Sequence, residues 1–343
     1  MGWAVPIAAI VAAVLLPIIF QVFEQYHLVH VMCLIGIYVM LALGLNIIIG
    51  YAGILNLGYA AFYGIGAYTA ALLAINAHIS FWILLPICGL FAAAAGMIVG
   101  VPTLRLRGDY IAIVTLGFVE IVRLGLNNLD VITNGPKGLP RVGETIPQPQ
   151  LSMGAFVLRM DGDLHYYYFI LLLVLGTIFV VSRLHNSRAG RSWVAIREDE
   201  LAAETMGVNT TVMKIQAFAV GTFIAGLAGC VYTHWIGFIT PELFTFWESV
   251  LIVCMVVLGG MGSVPGVILG TVLIAGIPEV LRDVLQRVAE NLTAGTAATW
   301  REYFDNIILA RMLLFGAIMI IMVIFRPQGI LLARRPDIRR NIG

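Results

Sequence analysis

Apolar runs of about twenty residues recur along the chain, and they limit what it can fold into more than any other feature. They lie at 4–20, 28–49, 54–76, 82–101, 110–128, 166–184, 215–236 and 307–325. A helix crosses a bilayer with about 20 mostly apolar residues. Hydrocarbon offers no partner to backbone N–H and C=O groups, so a run of this length must satisfy them within itself, as a helix does. A further run at 248–277 is too long for one comfortable span and too short for two. It is interrupted by Gly259-Gly260-Met261-Gly262-Ser263-Val264-Pro265-Gly266, which predicts a broken hairpin of two half-helices. The expected fold is all-α: a polytopic membrane helical bundle of about eight full spans plus broken segments, nine or ten crossings in all.

Composition excludes the alternatives. Of 343 residues, 60% are hydrophobic and 11% charged, whereas soluble chains carry about 25% charged residues. This rules out a water-soluble enzyme, a disordered chain, a disulfide-stapled scaffold and a coiled coil. A net charge of +1 gives no pull towards nucleic acid. The sequence reads as one transmembrane domain over 1–343. Cys33, Cys88, Cys230 and Cys254 sit singly in apolar runs and read as packing residues, with no metal-ligand spacing.

The charges that are present set an orientation. Arg105 and Arg107, then Arg188, Arg191, Arg197 and Lys214 in the loop 185–214, then Arg326, Arg334, Arg335, Arg339 and Arg340 all fall on one side by parity. Cation-rich loops face the cytoplasm. The loop 129–165 is therefore expected outside and both termini cytoplasmic. Met1-Gly2-Trp3-Ala4 lacks the positive start of a secretory signal, so 4–20 reads as a retained first span. On the outer side, residues 278–292 place Ile277, Val280, Leu281, Val284, Leu285, Val288 and Leu292 on one helical stripe. The segment 278–306 then reads as an outer amphipathic helix and loop, lying on the membrane or serving as a docking platform.

Polar groups within the spans are few. Glu120 and Arg123 share a face at i,i+3 and read either as a contact on a solute path or as a buried structural pair. Asn46 and Asn56 flank a break at Gly50–Gly53, where capping or bridging of helices competes with solute contact. With Gly260, Gly262 and Ser263 of the second break, these residues form the expected translocation path. Glu242 and Glu248 read as exposed residues at the outer mouth. Small residues recur every four positions at Ala52, Asn56, Ala60 and Gly64, at Gly221, Ala225 and Gly229, and at Gly262, Gly266 and Gly270; this spacing lets helix backbones approach closely. Runs 50–68 and 259–277 share their glycine density, a hint of an internal repeat. No chain of Asp, Glu or His crosses the spans, which argues against ion coupling. There is no GxxxxGK[ST], HExxH or GxSxG, so no catalytic residue, metal site or resident cofactor is expected.

The loop 185–214 is the most informative soluble piece. Residues 193–206 are helix formers, and Gly207 stands at a natural C-cap. Trp193, Ile196 and Met206 read as apolar anchors, with Ala202 and Ala203 leaving a smooth surface. Such a helix suits a groove on a partner. A solvated loop helix and a headgroup contact through the arginines are the alternatives.

In that loop, and in further segments in order, the chain resembles the LivM-type permease subunits of bacterial ABC importers for branched-chain amino acids, in the LivH/LivM permease family. The resemblance covers about residues 30 to 332. It rests on Asn46 to Tyr68 (NIIIGYAGILNLGYAAFYGIGAY), Arg107 to Arg123 (RGDYIAIVTLGFVEIVR), Thr133 to Leu139 (TNGPKGL), Gly226-Leu227-Ala228-Gly229, Leu258 to Gly270 (LGGMGSVPGVILG) and Arg326 to Leu331 (RPQGIL). It implies that 185–214 carries a coupling helix that docks on an ATPase subunit, through Arg191, Trp193, Ile196, Arg197, Glu200, Ala202, Ala203 and Gly207. Ala202, Ala203 and Gly207 fit the spacing of an EAAxxxG-like pattern, but Leu201 stands at its Glu position and the acid is one residue earlier, at Glu200. The implied partners are a homologous LivH-type permease, two LivG/LivF-type ATPases that hold ATP and Mg, a periplasmic amino-acid-binding protein and the lipid bilayer. Urea, amides or other amino acids are alternative cargoes of the same class. An ion-coupled carrier acting alone is the rival from another class, and an intramembrane enzyme lacks a catalytic set.

Overall fold

The computed structural model describes residues 11–17, 20, 26–103, 109–139, 150–153, 156–159, 162–278 and 330–331. Its long helices are α1 (Tyr26–Asn46), α2 (Tyr59–Ala77), α3 (Phe81–Thr103), α4 (Asp109–Asn128) and α5 (Asp163–His185). Two short helices follow, α6 (Arg188–Glu198) and α7 (Glu200–Thr205), and then the long α8 (Thr210–Ile236). The described part closes with α9 (Phe246–Gly259) and α10 (Val264–Thr271). This is a helical membrane bundle. Six of the eight expected full spans appear, as α1 to α5 and α8. In the first expected span, residues 11–17 and 20 are helical. The run 307–325 and the amphipathic segment 278–306, apart from Pro278, lie outside the described residues. The loop after α4 adds a small antiparallel hairpin, β1 (Gln150–Met153) and β2 (Phe156–Arg159), to the otherwise helical fold.

The chain turns back at the expected break. Its first arm is longer than the expected half-helix: the stretch Pro241–Gly259, which ends in the 14-residue α9, has 19 residues and is long and apolar enough to cross a membrane. Gly260 (φ 111) and Gly262 (φ 88) turn the chain. Ser263 then caps α10 by accepting from the Gly266 amide, with Pro265 in the first turn. The arms pack backbone to backbone: a Cβ on Gly266 would lie 2.3 Å from the Gly259 carbonyl oxygen, and one on Gly270 2.4 Å from that of Met255.

The first break differs from its expected form. Instead of a span over 54–76, α1 runs on through a π-helical segment, Ile47–Tyr51, and the chain stays non-helical until α2 starts at Tyr59. Ala52 and Asn56 are therefore not on a helix seam. The buried Ile54 amide donates back to Ile48, and Asn56 accepts from the Gly58 amide, so local bonds replace helical ones.

The seam on α8 is real and organises the core. A Cβ on Gly66 of α2 would lie 2.5 Å from the Gly226 Cα, one on Gly229 2.4 Å from the Tyr63 oxygen, and one on Gly226 2.4 Å from the Cys88 oxygen of α3. Around it pack the buried Met40, Leu43, Phe62 and Phe218. The periphery is α4, whose Ile113, Ile121 and Leu124 face outwards, as helices in lipid do. Contacts also fix the directions of the helices. Asp163 at the start of α5 meets His30 near the start of α1, and Gly262 meets Asn46 near its end. So α1 descends towards the 185–214 loop, α9 descends beside it, and α10 climbs back into a π-helical segment, Val272–Gly276, that sets Gly276 beside Ile35.

Candidate functional site

The loop 185–214 folds as two helices tied to the bundle floor. The α5–α6 corner is tight: Ser187 accepts from the Gly190 amide, and a Cβ on Gly190 would come within 2.1 Å of the Leu184 oxygen. Trp193 is 1% exposed and donates through Nε1 to the Met213 carbonyl at 2.7 Å; Ile196 is also buried. Arg197 donates to the Gly50 carbonyl and lies across Gly53, while Tyr51 stacks on His185 with ring centroids 4.7 Å apart. The α6 helix is thereby braced on the π-helical end of α1.

The expected single helix over 193–206 is broken at Asp199, which is extended (φ −157, ψ 109). Its side chain accepts from the Ala202 amide and so starts α7. Glu200 pairs with the largely buried Lys214, which reaches back from α8. Ala203 packs inward, while Ala202, Leu201 and Met206 face out. Gly207 (φ 85) closes the helix: its amide donates to Glu204 and that of Val208 to Ala203. Asn209 then caps α8 by accepting from the Val212 amide at 3.0 Å. Two readings need correction. Trp193 and Ile196 anchor α6 to its own bundle and are not offered to a partner, because the long-range partners that cover them are invisible in hydropathy. The outward surface is instead Ala202, Leu201 and Met206, with Arg191 folded onto the Asn186 carbonyl. Lys214, read only as a cytoplasmic charge, is part of the loop's internal brace.

Directly above this loop the two breaks meet. Asn46 accepts from the Gly262 amide at 2.8 Å, and a Cβ on Gly50 would lie 2.6 Å from that nitrogen. The segment ending in RPQGIL joins here, the Ile330 and Leu331 amides donating to Leu258 and Gly259. Asn46 and Asn56 are fully buried, and among the described residues the Nδ2 of each finds no hydrogen-bond partner. The structure thus gathers Asn46, Gly262 and Ser263 above α6, with Gly260 in the same turn.

It does not bring Glu120 and Arg123 to that place. Arg123 binds Glu120 at 2.9 Å and Glu242 at 3.0 Å, and Asn127 also donates to Glu242. These groups sit at the end of α4 away from the loop, with Glu242 60% exposed. The pair belongs to a network that holds the turn Pro241–Leu243 to α4. Nearby, Asn134 (φ 59) folds the Thr133–Leu139 motif, and Leu139 pairs with Ile239. Glu248, expected on the rim, instead turns inward and hydrogen-bonds to Tyr38.

The family model for the branched-chain amino acid transport system permease component matches residues 27–323. The chain belongs to that family. It is 40% identical over 301 residues to the high-affinity branched-chain amino acid transport system permease protein LivM of Escherichia coli, covering 82% of this chain and 64% of that protein. The autoinducer 2 import system permease protein LsrC of Yersinia pseudotuberculosis serotype IB is 30% identical, over 66% of this chain and 60% of its own length. LivH of Salmonella typhimurium is 28% identical, over 63% and 62%. No solved structure matches. Membership makes this a multi-pass membrane protein of the permease type. The family match includes both breaks and the loop between them, and of the geometry just described only Ile330 and Leu331 fall beyond it.

Proposed function

We propose that this chain is a permease subunit of an ABC importer that moves branched-chain amino acids into a bacterial cytoplasm, driven by separate ATPase subunits docked on α6 and α7. The observation that carries the reading is the brace from loop to breaks: Arg197 of α6 on the Gly50 carbonyl, and Gly50 against Gly262 of the hairpin. A ligand or partner shifts a conformational equilibrium only by binding its two states differently. An ATPase that moves α7 would push on α6, and the bonded contacts would carry that push to both breaks. The exposed Ala202, Leu201 and Met206 would form the docking surface, with a LivH-type permease beside this chain and a binding protein delivering cargo from outside. The side carrying α6 and α7 is the cytoplasmic one in this reading.

The test is ATP-driven uptake of radiolabelled leucine into proteoliposomes holding the full complex. Ala202→Arg places a long charged side chain on the docking surface without entering the bundle. It should leave the subunit folded and paired with its permease partner while uptake falls at least tenfold and ATP hydrolysis no longer follows cargo. Normal uptake by Ala202→Arg would end the coupling reading, and uptake without ATPase subunits would end the importer reading. The similarity to LsrC favours one second reading, the same machine with another cargo. Absence of ATP-driven uptake of non-amino-acid cargoes by a complex that takes up leucine would exclude it.

A further inference from the structure

We infer that Glu248, with Tyr38, Tyr63 and Tyr232, forms a station for the ammonium group of the cargo inside this subunit. This rests on the proposed transport of amino acids and adds a binding site to it.

Four helices bring these side chains together. Tyr38 comes from α1, Tyr63 from α2, Tyr232 from α8 and Glu248 from the first turn of α9. Tyr38 hydrogen-bonds to Glu248, and the carboxylate lies close enough to Tyr63 and Tyr232 to interact with both electrostatically. The Tyr63 and Tyr232 rings meet edge to face, centroids 5.6 Å apart. Among the described residues no Lys, Arg or His pairs with Glu248. An ionisable side chain in the apolar layer is costly and by default functional. Elsewhere in the described bundle the charges are answered: Arg123 by two carboxylates, Lys214 by Glu200. Among the described residues Glu248 has a phenol donor in Tyr38 and two further tyrosines nearby, but no paired cation.

That is the chemistry of a primary ammonium site. A carboxylate supplies the charge, and aromatic rings attract cations by their quadrupoles. The site is also reachable. Tyr38, Tyr232 and Glu248 are only partly buried. A line of packed rings leads from them to Asp163 at the end of the bundle where α9 starts: Tyr232 meets Trp235 at 6.4 Å, Trp235 meets His30 at 4.5 Å, and both Trp235 and His30 hydrogen-bond to Asp163. Leucine, isoleucine and valine all carry the ammonium, and their side chains differ only in apolar shape. A site that reads the shared group suits a permease that leaves selection to a binding protein.

The experiment uses the full complex in proteoliposomes, with leucine uptake and ATP hydrolysis measured together. Glu248→Gln keeps the shape and an acceptor for Tyr38 but removes the charge. Uptake should fall at least tenfold while subunit assembly and ATP hydrolysis stay within twofold of the wild type. Glu248→Asp should keep at least a third of the uptake. Tyr38→Phe, which removes the hydrogen bond but keeps the ring and the charge, should lower uptake by less than Glu248→Gln does. Uptake by Glu248→Gln within twofold of the wild type overturns the inference. So does loss of assembly in Glu248→Gln, or an equal fall in Tyr38→Phe, because either makes the contact structural. Absence of leucine uptake by the wild-type complex would instead refute the proposed function, so the two failures are distinct.

Discussion

Two glycines with the same sequence appearance have opposite roles, and substitution should separate them. A Cβ on Gly66 would meet the Gly226 backbone at 2.5 Å, where neither helix has a side chain to yield; around Gly117 nothing lies within 4 Å. Overpacking a tight contact costs about 1–3 kcal/mol, while Ala stabilises a helix interior over Gly by roughly 0.5–1 kcal/mol. Gly66→Ala should therefore lower the melting temperature of the purified protein in detergent, and Gly117→Ala should leave it unchanged or raise it. Equal falls in both would mean that the α2–α8 seam does not set stability. Spacing made the Gly221–Gly229 seam legible in the sequence, because a four-residue repeat reports a helix face. Gly117 could not be told apart, since emptiness around a residue depends on its neighbours in space. The same limit hid Glu248: hydropathy marks it as a lone acid near a helix start, and only the fold sets Tyr38 against it.

Among elements, the two-helix loop depends on one side chain at its elbow. Asp199 accepts from the Ala202 amide and ends α6 while starting α7. Loss of such a cap costs about 0.5–2 kcal/mol, a large share of what holds a six-residue helix in place. Asp199→Ala should leave the bundle's melting temperature nearly unchanged but speed proteolytic cleavage within 198–206 and reduce ATP-driven uptake several-fold; Asp199→Asn, which keeps an acceptor, should do neither. Unchanged cleavage and uptake in Asp199→Ala would show that α7 is held by the Glu200–Lys214 pair alone. The C-terminal stop at Gly207 was readable because a glycine after a run of helix formers has one common use. The elbow was not, because Glu198-Asp199-Glu200 contains no Gly or Pro. An acidic side chain that captures its own backbone breaks a helix without a compositional mark. The hairpin break was readable for the opposite reason, with Gly260, Gly262, Ser263 and Pro265 all pointing to the same turn.

For the molecule as a whole, helix direction and charge give two independent routes to one topology. The cation-rich loops place 185–214 on the cytoplasmic side. Packing alone, without reference to charge, puts Asn46, Gly50, Gly262 and the α6 helix at one end, and His30, Asp163, Glu242 and the Leu139–Ile239 pairing at the other. A hairpin that starts and finishes at the second end is the only path for α9 and α10 consistent with Gly276 beside Ile35. Both routes predict the sidedness of single cysteines. Val131, fully exposed beyond α4, and Met206, 84% exposed at the end of α7, lie at opposite ends. The native thiols Cys33, Cys88 and Cys230 are buried, which leaves Cys254 to be replaced for a quiet background. In spheroplasts, a membrane-impermeant maleimide should label Val131→Cys at once and Met206→Cys only after permeabilisation. The reverse pattern would invert the membrane orientation while leaving the packing intact. Labelling of both from one side would break the packing itself, because no single-pass rearrangement of α5 can carry both residues to the same face.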